Sequence, residues 1–331
     1  MQNNARNPRK ISVIITAYNR TDYILDAMQS VLNQTLSRDN FEVIVIKNFS
    51  QPGIDEFIAE NKFKNVDLEG FTPVPEMIWK AINYSNYEIL SFLDDDDMYS
   101  TDKLEKVFEA FNEDNELAFL HNSSSIFYDK EKTSIHGPIL QKKSPKVDLI
   151  LHGPKYGQAV IYYDAAFNMS SISVSKDAIN MQALKSLLTN PDMFMLFSSM
   201  KTSRPIMIDS HPLTLYRIHD LNTSVNQAKD RKAEFRRMYA LTYYQILEII
   251  KDEPYLEKLL NIYMVHSLIE LHIANVERGA LYLKDMPMLI QKTFYIFKWE
   301  PEKIGDMILT YVSVFLRSLF PKLLRNQILH S

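Results

Sequence analysis

Glu88–Asp97 reads EILSFLDDDD, a largely apolar run of strand length that ends in four consecutive aspartates. Apolar side chains on both faces of so short a run predict a strand buried on both sides, as in a parallel sheet. Two further runs of this type lie upstream, Ile11–Ala17 (ISVIITA) and Phe41–Ile46 (FEVIVI). Between them the apolar spacing changes to three and four. Ile24, Leu25, Met28, Val31 and Leu32 predict a helix, with Thr21 or Asp22 placed to cap it. Ile54–Glu60 and Glu76–Tyr84 predict two more helices, the second entered just after Pro73 and Pro75. Alternation of this kind predicts an α/β fold, a mostly parallel sheet flanked by helices. Ligands of such sheets bind beyond the carboxyl ends of the strands. The four aspartates sit at such an end.

Composition narrows the function. The chain has 331 residues, 46% hydrophobic and 24% charged, which is ordinary for a globular protein with room for a large core. Its net charge of −4 lacks the basic footprint of a nucleic-acid binder, so no nucleic-acid partner is expected. With no cysteine, a disulfide framework, a thiolate zinc site and a cysteine nucleophile are excluded. The polar opening MQNNARNPRK does not read as a signal peptide, and no stretch reaches the ~20 apolar residues of a membrane span. A cytoplasmic protein is the expectation. Only seven glycines are present, too dispersed for a glycine-rich phosphate cradle. A bound nucleotide would have to be held through side chains and a metal.

Asp94, Asp95, Asp96 and Asp97 repel one another unless a cation or solvent offsets the repulsion. Hard oxygen ligands of this type suit Mg²⁺ or Mn²⁺, which also coordinate substrate phosphates. The plain alternative is a solvated acidic turn. A calcium loop of the EF-hand type would need an oxygen ligand at Met98 and glycine at Tyr99, and has neither. An aspartate-dependent phosphatase also carries Asp-x-Asp after an apolar strand, but on the first strand of its domain.

Three segments together resemble the inverting family 2 glycosyltransferases, whose fold is of the GT-A type. ISVIITAYNRTDYILDAMQSVLNQTL resembles the first strand, nucleotide-contacting turn and helix of that family. FLDDDDMYSTDKL resembles its Asp-x-Asp segment, and YRIHDLNTS (Tyr216–Ser224) its Arg-x-His element. The resemblance implies a nucleotide-diphosphate sugar donor, a saccharide or lipid-linked acceptor, and Mn²⁺ or Mg²⁺ as cofactor. It implies that Thr16 and Tyr18 line the nucleoside pocket, that Asp94 or Asp95 approaches the ribose or metal, and that Asp96 binds the metal. Arg217 and His219 would hold the diphosphate or the metal. Asp192, in NPDMFMLFSSM, aligns with the catalytic carboxylate, although Pro191 precedes it where the family has Glu; a helix-capping aspartate is the structural alternative. Where the family commonly has Asp-Asp-x-Ser for reading the base, this chain has Lys47-Asn48-Phe49-Ser50, and Asn48 offers a donor as well as an acceptor. These departures motivate a second reading, a non-catalytic protein that keeps the fold for binding.

From Leu117 to Tyr216 the pattern predicts short strands and polar loops, and from Lys229 onward helices, with Tyr239, Tyr243, Ile246, Leu247 and Ile250 at helical spacing. A boundary near residue 228 follows, with a nucleotide-sugar-binding catalytic domain at 1–228 and a helical domain at 229–331. The stripe of apolar residues in 308–329 would suit peripheral contact with the inner face of a membrane. Packing on its own domain, or on a second copy in a homodimer, is the simpler expectation.

Overall fold

The computed structural model describes residues 7–129, 145–157, 163–220 and 229–261, together with 263, 264 and 267. These residues fall into two compact units. The larger contains every described strand and Ile249–Leu256; the other contains 229–248 and the described residues from Glu257 on.

The apolar runs form strands where the sequence predicts them: β1 (Ile11–Ala17), β2 (Phe41–Lys47) and, after the short β3 (Lys64–Asp67), β4 (Ile89–Asp94). They lie side by side in the order β3-β2-β1-β4, all parallel. Helices α1 (Ile24–Leu32), α2 (Pro52–Glu60) and α3 (Val74–Tyr84) connect them. The core is built where these layers meet, from Ile11, Val13 and Ile15 of β1, Val43 and Val45 of β2, and Ile24, Met28 and Val31 of α1. The expected α/β architecture is therefore present. Its antiparallel pairings all involve the strands that follow, β5 (Met98–Tyr99), β6 (Phe119–Tyr128), β7 (Leu149–Leu151), β8 (Ile172–Ser175) and β9 (Ile206–Ile218): β8 pairs with β4 and β6, and β9 with β5 and β7, while β6 and β9 are parallel. Helix α4 (Lys103–Glu113) follows β5, and α5 (Met181–Ser186) and α6 (Pro191–Lys201) lie between β8 and β9.

Three local expectations are corrected. Neither Thr21 nor Asp22 caps α1: the residue ahead of it is Tyr23, which makes no capping bond. The Tyr23 ring packs instead on His219 and Arg217, so tertiary contact fixes the helix entry. Strand β3 went unpredicted because only Val66 of its four residues is buried, leaving no apolar run. Strand β9 is thirteen residues long, where short strands and loops were expected. Its register against β6 shifts twice, around Asp209 to Thr214. Pro212 lies in that irregular stretch, where a missing N–H costs no ladder bond.

In the second unit, α7 (Lys229–Ile250) carries the predicted stripe. Tyr243, Ile246 and Ile250 are buried, the last of them in the larger unit; Tyr239 and Leu247 are half-buried. Among the described residues no helix is long and apolar enough to cross a membrane. Residues 308–329 lie outside the described residues.

Lys47, at the end of β2, is fully buried. Its ammonium donates to the Phe49 carbonyl at 2.9 Å, pairs with Asp55 of α2 at 2.9 Å, and is bonded to Asp67 of β3. The cation is the buried partner, whereas Asp55 and Asp67 keep 31% and 63% of their side-chain surface exposed. Removing the acids strands a buried charge; removing the lysine does not. The double change Asp55→Asn with Asp67→Asn should therefore cost about 3 kcal/mol in urea unfolding, and Lys47→Met about 1 kcal/mol or less. The opposite ranking would rule out this account of the β2 terminus.

Candidate active site at the carboxyl end of the sheet

In-register pairing of β1 and β4 places Thr16 beside Asp94, and the Thr16 hydroxyl donates to Asp94 Oδ1 at 3.2 Å. Beyond Asp94 the chain turns at once, with the Asp97 N–H on the Asp94 carbonyl at 3.2 Å. It then enters β5, whose Met98 and Tyr99 pair with Leu215 and Thr214 of β9. The acidic run is thus a tight turn held between the end of β4 and the last third of β9. Asp95, Asp96 and Asp97 are buried, so a solvated acidic turn is not what forms.

Gathering these carboxylates has electrostatic consequences. Burial, with added repulsion from Asp96, Asp97, Asp95 and Asp192, holds the Asp94 carboxyl well above its usual range. Burial pushes Asp97 up to about 7, against donors at Ser170, Arg217 N–H and Asn168. It pushes Asp95 up to about 6, against the neighbouring Arg20. Asp96 goes the other way: burial would raise it, but His219 and Arg20 together hold it below the ordinary value.

His219 lies just past β9, and its Nε2 is 3.0 Å from Asp96 Oδ2. The ring is fully buried and packs on Tyr23 at 4.7 Å between centroids. Arg20, from the loop after β1, bonds Asp95, reaches Asp96 Oδ2 at 2.8 Å, and stands 3.5 Å from His219 Nε2. Without a metal, a proton on Nε2 suits the shorter Asp96 contact; a metal at Nε2 would require the other tautomer, with the proton on Nδ1. Asp192 lies in the first turn of α6, next to Pro191 and after Asn190 in the left-handed conformation (φ 53°). It is half-buried and close enough to Asp94 to raise that carboxyl. Asn190, not Asp192, occupies the cap position.

The remaining residues singled out in the sequence divide between pocket and scaffold. The Tyr18 ring meets Phe71 edge-on at 6.0 Å, and Phe71 is 80% exposed, so the two form an aromatic lip. Asn48 exchanges two bonds with Asn19, each 2.8 Å: its amide donates to the Asn19 side chain, and its oxygen accepts the Asn19 N–H. Asn19 holds a left-handed φ of 53°, a conformation that asparagine adopts more readily than most residues. Arg217 is turned to protein groups. Its guanidinium bonds Asp26 of α1 at 2.7 Å and the Asp96 carbonyl at 2.9 Å, between the rings of Tyr23 and Phe127. Its backbone N–H donates to Asp97 Oδ1 at 3.0 Å. In this structure it braces the aspartate turn.

Sequence reading missed Arg20 and the floor of the site. Arg20 was visible as the one cation directly after the end of β1. The floor was not: Lys103 is fully buried at the start of α4, bonded to the Ser170 carbonyl and to Thr214 Oγ1 (3.1 Å), with Tyr99 4.1 Å beneath it. Burial drives Lys103 well below the usual lysine range, against the pull of Asp97 and Asp209. Earlier on β9, Asp209 and His211 meet Asp148, which precedes β7, in the one group of three metal-binding residue types whose ligand atoms lie within 4.8 Å of one another among the described residues.

The Asp turn fits a hard divalent cation. Asp96 and His219 supply an oxygen and a nitrogen 3.0 Å apart, further carboxylates adjoin them, and a guanidinium already stands where the charges converge.

Comparison with known proteins identifies the family and the fold. The description "Glycosyl transferase family 2" matches residues 12–178, which include β1, β4 and the Asp turn. An uncharacterised glycosyltransferase of Rickettsia bellii is 39% identical over 118 residues, 34% of this chain but only 16% of that longer protein. Staphylococcus aureus TarS 1–349, solved in complex with UDP, superposes with a TM-score of 0.58 at 16% identity over 86% of each chain. The mannosyltransferase PcManGT of Pyrobaculum calidifontis, solved with GDP-Man and Mn²⁺, gives 0.51 at 12% identity over 96% of this chain and 88% of its own. With the matched family spanning half of the sequence and the sheet, turn and helices in the GT-A arrangement, the chain belongs to glycosyl transferase family 2.

Proposed function

We propose that this chain transfers a sugar from a nucleoside-diphosphate sugar to an acceptor hydroxyl, with inversion at the anomeric carbon. The observation that carries this reading is the meeting of two distant segments at one strand end, Asp94–Asp97 after β4 and His219 after β9, with Asp192 at the start of α6 near enough for its charge to act on Asp94. Asp96 and His219 would hold a divalent cation, Mn²⁺ or Mg²⁺, with Asp95 adjoining. Once bound there, such a cation supplies charge neutralisation for the departing diphosphate.

The chain's own residues do the rest. Thr16, hydrogen-bonded to Asp94, fixes that carboxylate at the mouth of the site. Tyr18 and Phe71 offer ring surface to the nucleoside. Asp192 accepts the proton of the acceptor hydroxyl as it attacks. Its place in the first turn of α6 suits that role, because the helix N-terminus favours the ionised carboxylate. An attack opposite the leaving diphosphate, with no covalent intermediate, inverts the configuration. The ligands printed for the neighbouring structures, UDP for TarS and GDP-Man with Mn²⁺ for PcManGT, support a nucleotide-sugar donor and a metal here.

A thermal-shift screen of UDP, GDP and their sugars with and without Mn²⁺ tests the reading directly. One nucleotide should stabilise the protein, and more strongly with Mn²⁺; no shift with any of them would count against a donor site. Asp192→Asn should lower the transfer rate roughly 10²- to 10⁴-fold while leaving donor affinity unchanged. Loss of donor affinity in that variant would assign Asp192 to binding.

The carboxyl shifts make a separate prediction. Asp94, Asp95 and Asp97 titrate higher in the folded protein than the ordinary value near 4 in an unfolded chain. Between about pH 4 and pH 7 the folded state therefore binds more protons, and stability falls as pH rises through that window. Melting temperature should drop from pH 5 to pH 7.5 in the presence of a chelator, and the slope should flatten with saturating Mn²⁺. A chelated protein equally stable at both values would contradict the burial of these carboxylates.

A further inference from the structure

Arg20 touches the same two groups that would hold the metal. Its Nη2 is 2.8 Å from Asp96 Oδ2 and also bonds Asp95; its Nη1 is 3.5 Å from His219 Nε2. Only 19% of its side-chain surface is exposed, so solvent screens these contacts poorly. A divalent cation bound to Asp96 and His219 would sit roughly 2.1 Å from each ligand atom. The guanidinium already contacts Asp96 Oδ2 and stands beside His219 Nε2, so the ion would compete with it for the same ligand atoms, and the two positive charges would repel. Each weakens the hold of the other on the turn.

The direction of Arg20 is built in. Asn19 adopts its left-handed turn under two hydrogen bonds exchanged with Asn48, and that turn leads directly into Arg20. The same loop follows the carboxyl end of β1, the side on which a diphosphate would enter. A guanidinium matches phosphate oxygens with paired N–H donors as well as it matches carboxylates.

We propose that Arg20 is an internal counter-ion of the aspartate turn, which a divalent cation must displace and which the donor diphosphate then receives. This rests on the metal-dependent transfer reading. Its consequence is thermodynamic: Arg20 weakens metal binding when no nucleotide is present and strengthens the mutual dependence of metal and nucleotide. Because such coupling is reciprocal, either ligand reports it.

The test is Mn²⁺ affinity of the full chain, by electron paramagnetic resonance or calorimetry, with and without whichever of UDP or GDP binds. In Arg20→Gln, Mn²⁺ alone should bind roughly tenfold tighter than in the unaltered protein, and the tightening produced by nucleotide should shrink by a similar factor. Arg20→Lys keeps the charge but loses the forked contact, so it should shift both quantities in the same direction by less; it also carries the test if the glutamine variant does not fold. Unchanged or weaker Mn²⁺ binding in both variants would overturn the proposal. Asp96→Asn separates the two levels of the argument. If it abolishes Mn²⁺ binding while the Arg20 variants bind as before, the metal site stands and the counter-ion role falls. If Asp96→Asn binds Mn²⁺ normally, the metal site itself is wrong, and the role of Arg20 falls with it.

Discussion

Four adjacent carboxylates at the end of a buried strand form an arrangement that a protein core opposes, and much of the local architecture answers that opposition. Charges brought out of water this close together stay ionised only when positive groups or N–H donors face them. The chain supplies such groups from the loop after β1, with Arg20, and from the end of β9, with the Arg217 N–H and His219. Arg20 and the Arg217–His219 pair lie almost two hundred residues apart in sequence, so the turn as it stands depends on β1, β4, β5 and β9 coming together. The site and the sheet edge therefore depend on one another.

That dependence explains which features could be read from sequence. The parallel block β1 to β4 was legible because strands buried on both faces leave dense apolar runs, Ile11–Ala17 being the clearest. The Asp turn was legible because no other run of four acids follows such a strand. What escaped was structure whose cause lies outside its own segment. Strand β3 has one buried residue, and β9 is interrupted by polar residues and Pro212, so neither shows a period of its own. The entry of α1 was misassigned because Tyr23 is fixed by Arg217 and His219, almost two hundred residues away. Lys103 carries no sequence signal of its own. Its burial follows from the Ser170 carbonyl and Thr214, which no local pattern announces.

The Lys47-Asn48 pair illustrates how a departure from a family pattern can be absorbed. Read as sequence, it places a positive charge and an amide where an acidic pair is common, and so suggests a damaged base pocket. In the structure Lys47 points away from solvent and ties β2 to α2 and β3 through Asp55 and Asp67. Asn48 is matched to Asn19 by a two-bond amide exchange that an aspartate could not complete, since a carboxylate has no N–H to give. Both substitutions are thus compensated within the chain, which removes one of the two motives for reading the protein as a fold that has lost its chemistry.

The other motive, Pro191 in place of a glutamate before Asp192, yields to a similar argument. Proline at the first position of a helix loses no bond, since that N–H has no partner inside the helix, and its fixed φ starts the turn. Asn190 takes the left-handed conformation ahead of it, so the direction of α6 is set on both sides of the peptide bond that leads into the helix. A side chain carried in the first turn of a helix defined that firmly has little freedom to swing. Asp192 is held near Asp94 without a glutamate to support it. The proline therefore leaves α6 able to present Asp192 in its first turn, with the helix N-terminus at the carboxylate's back.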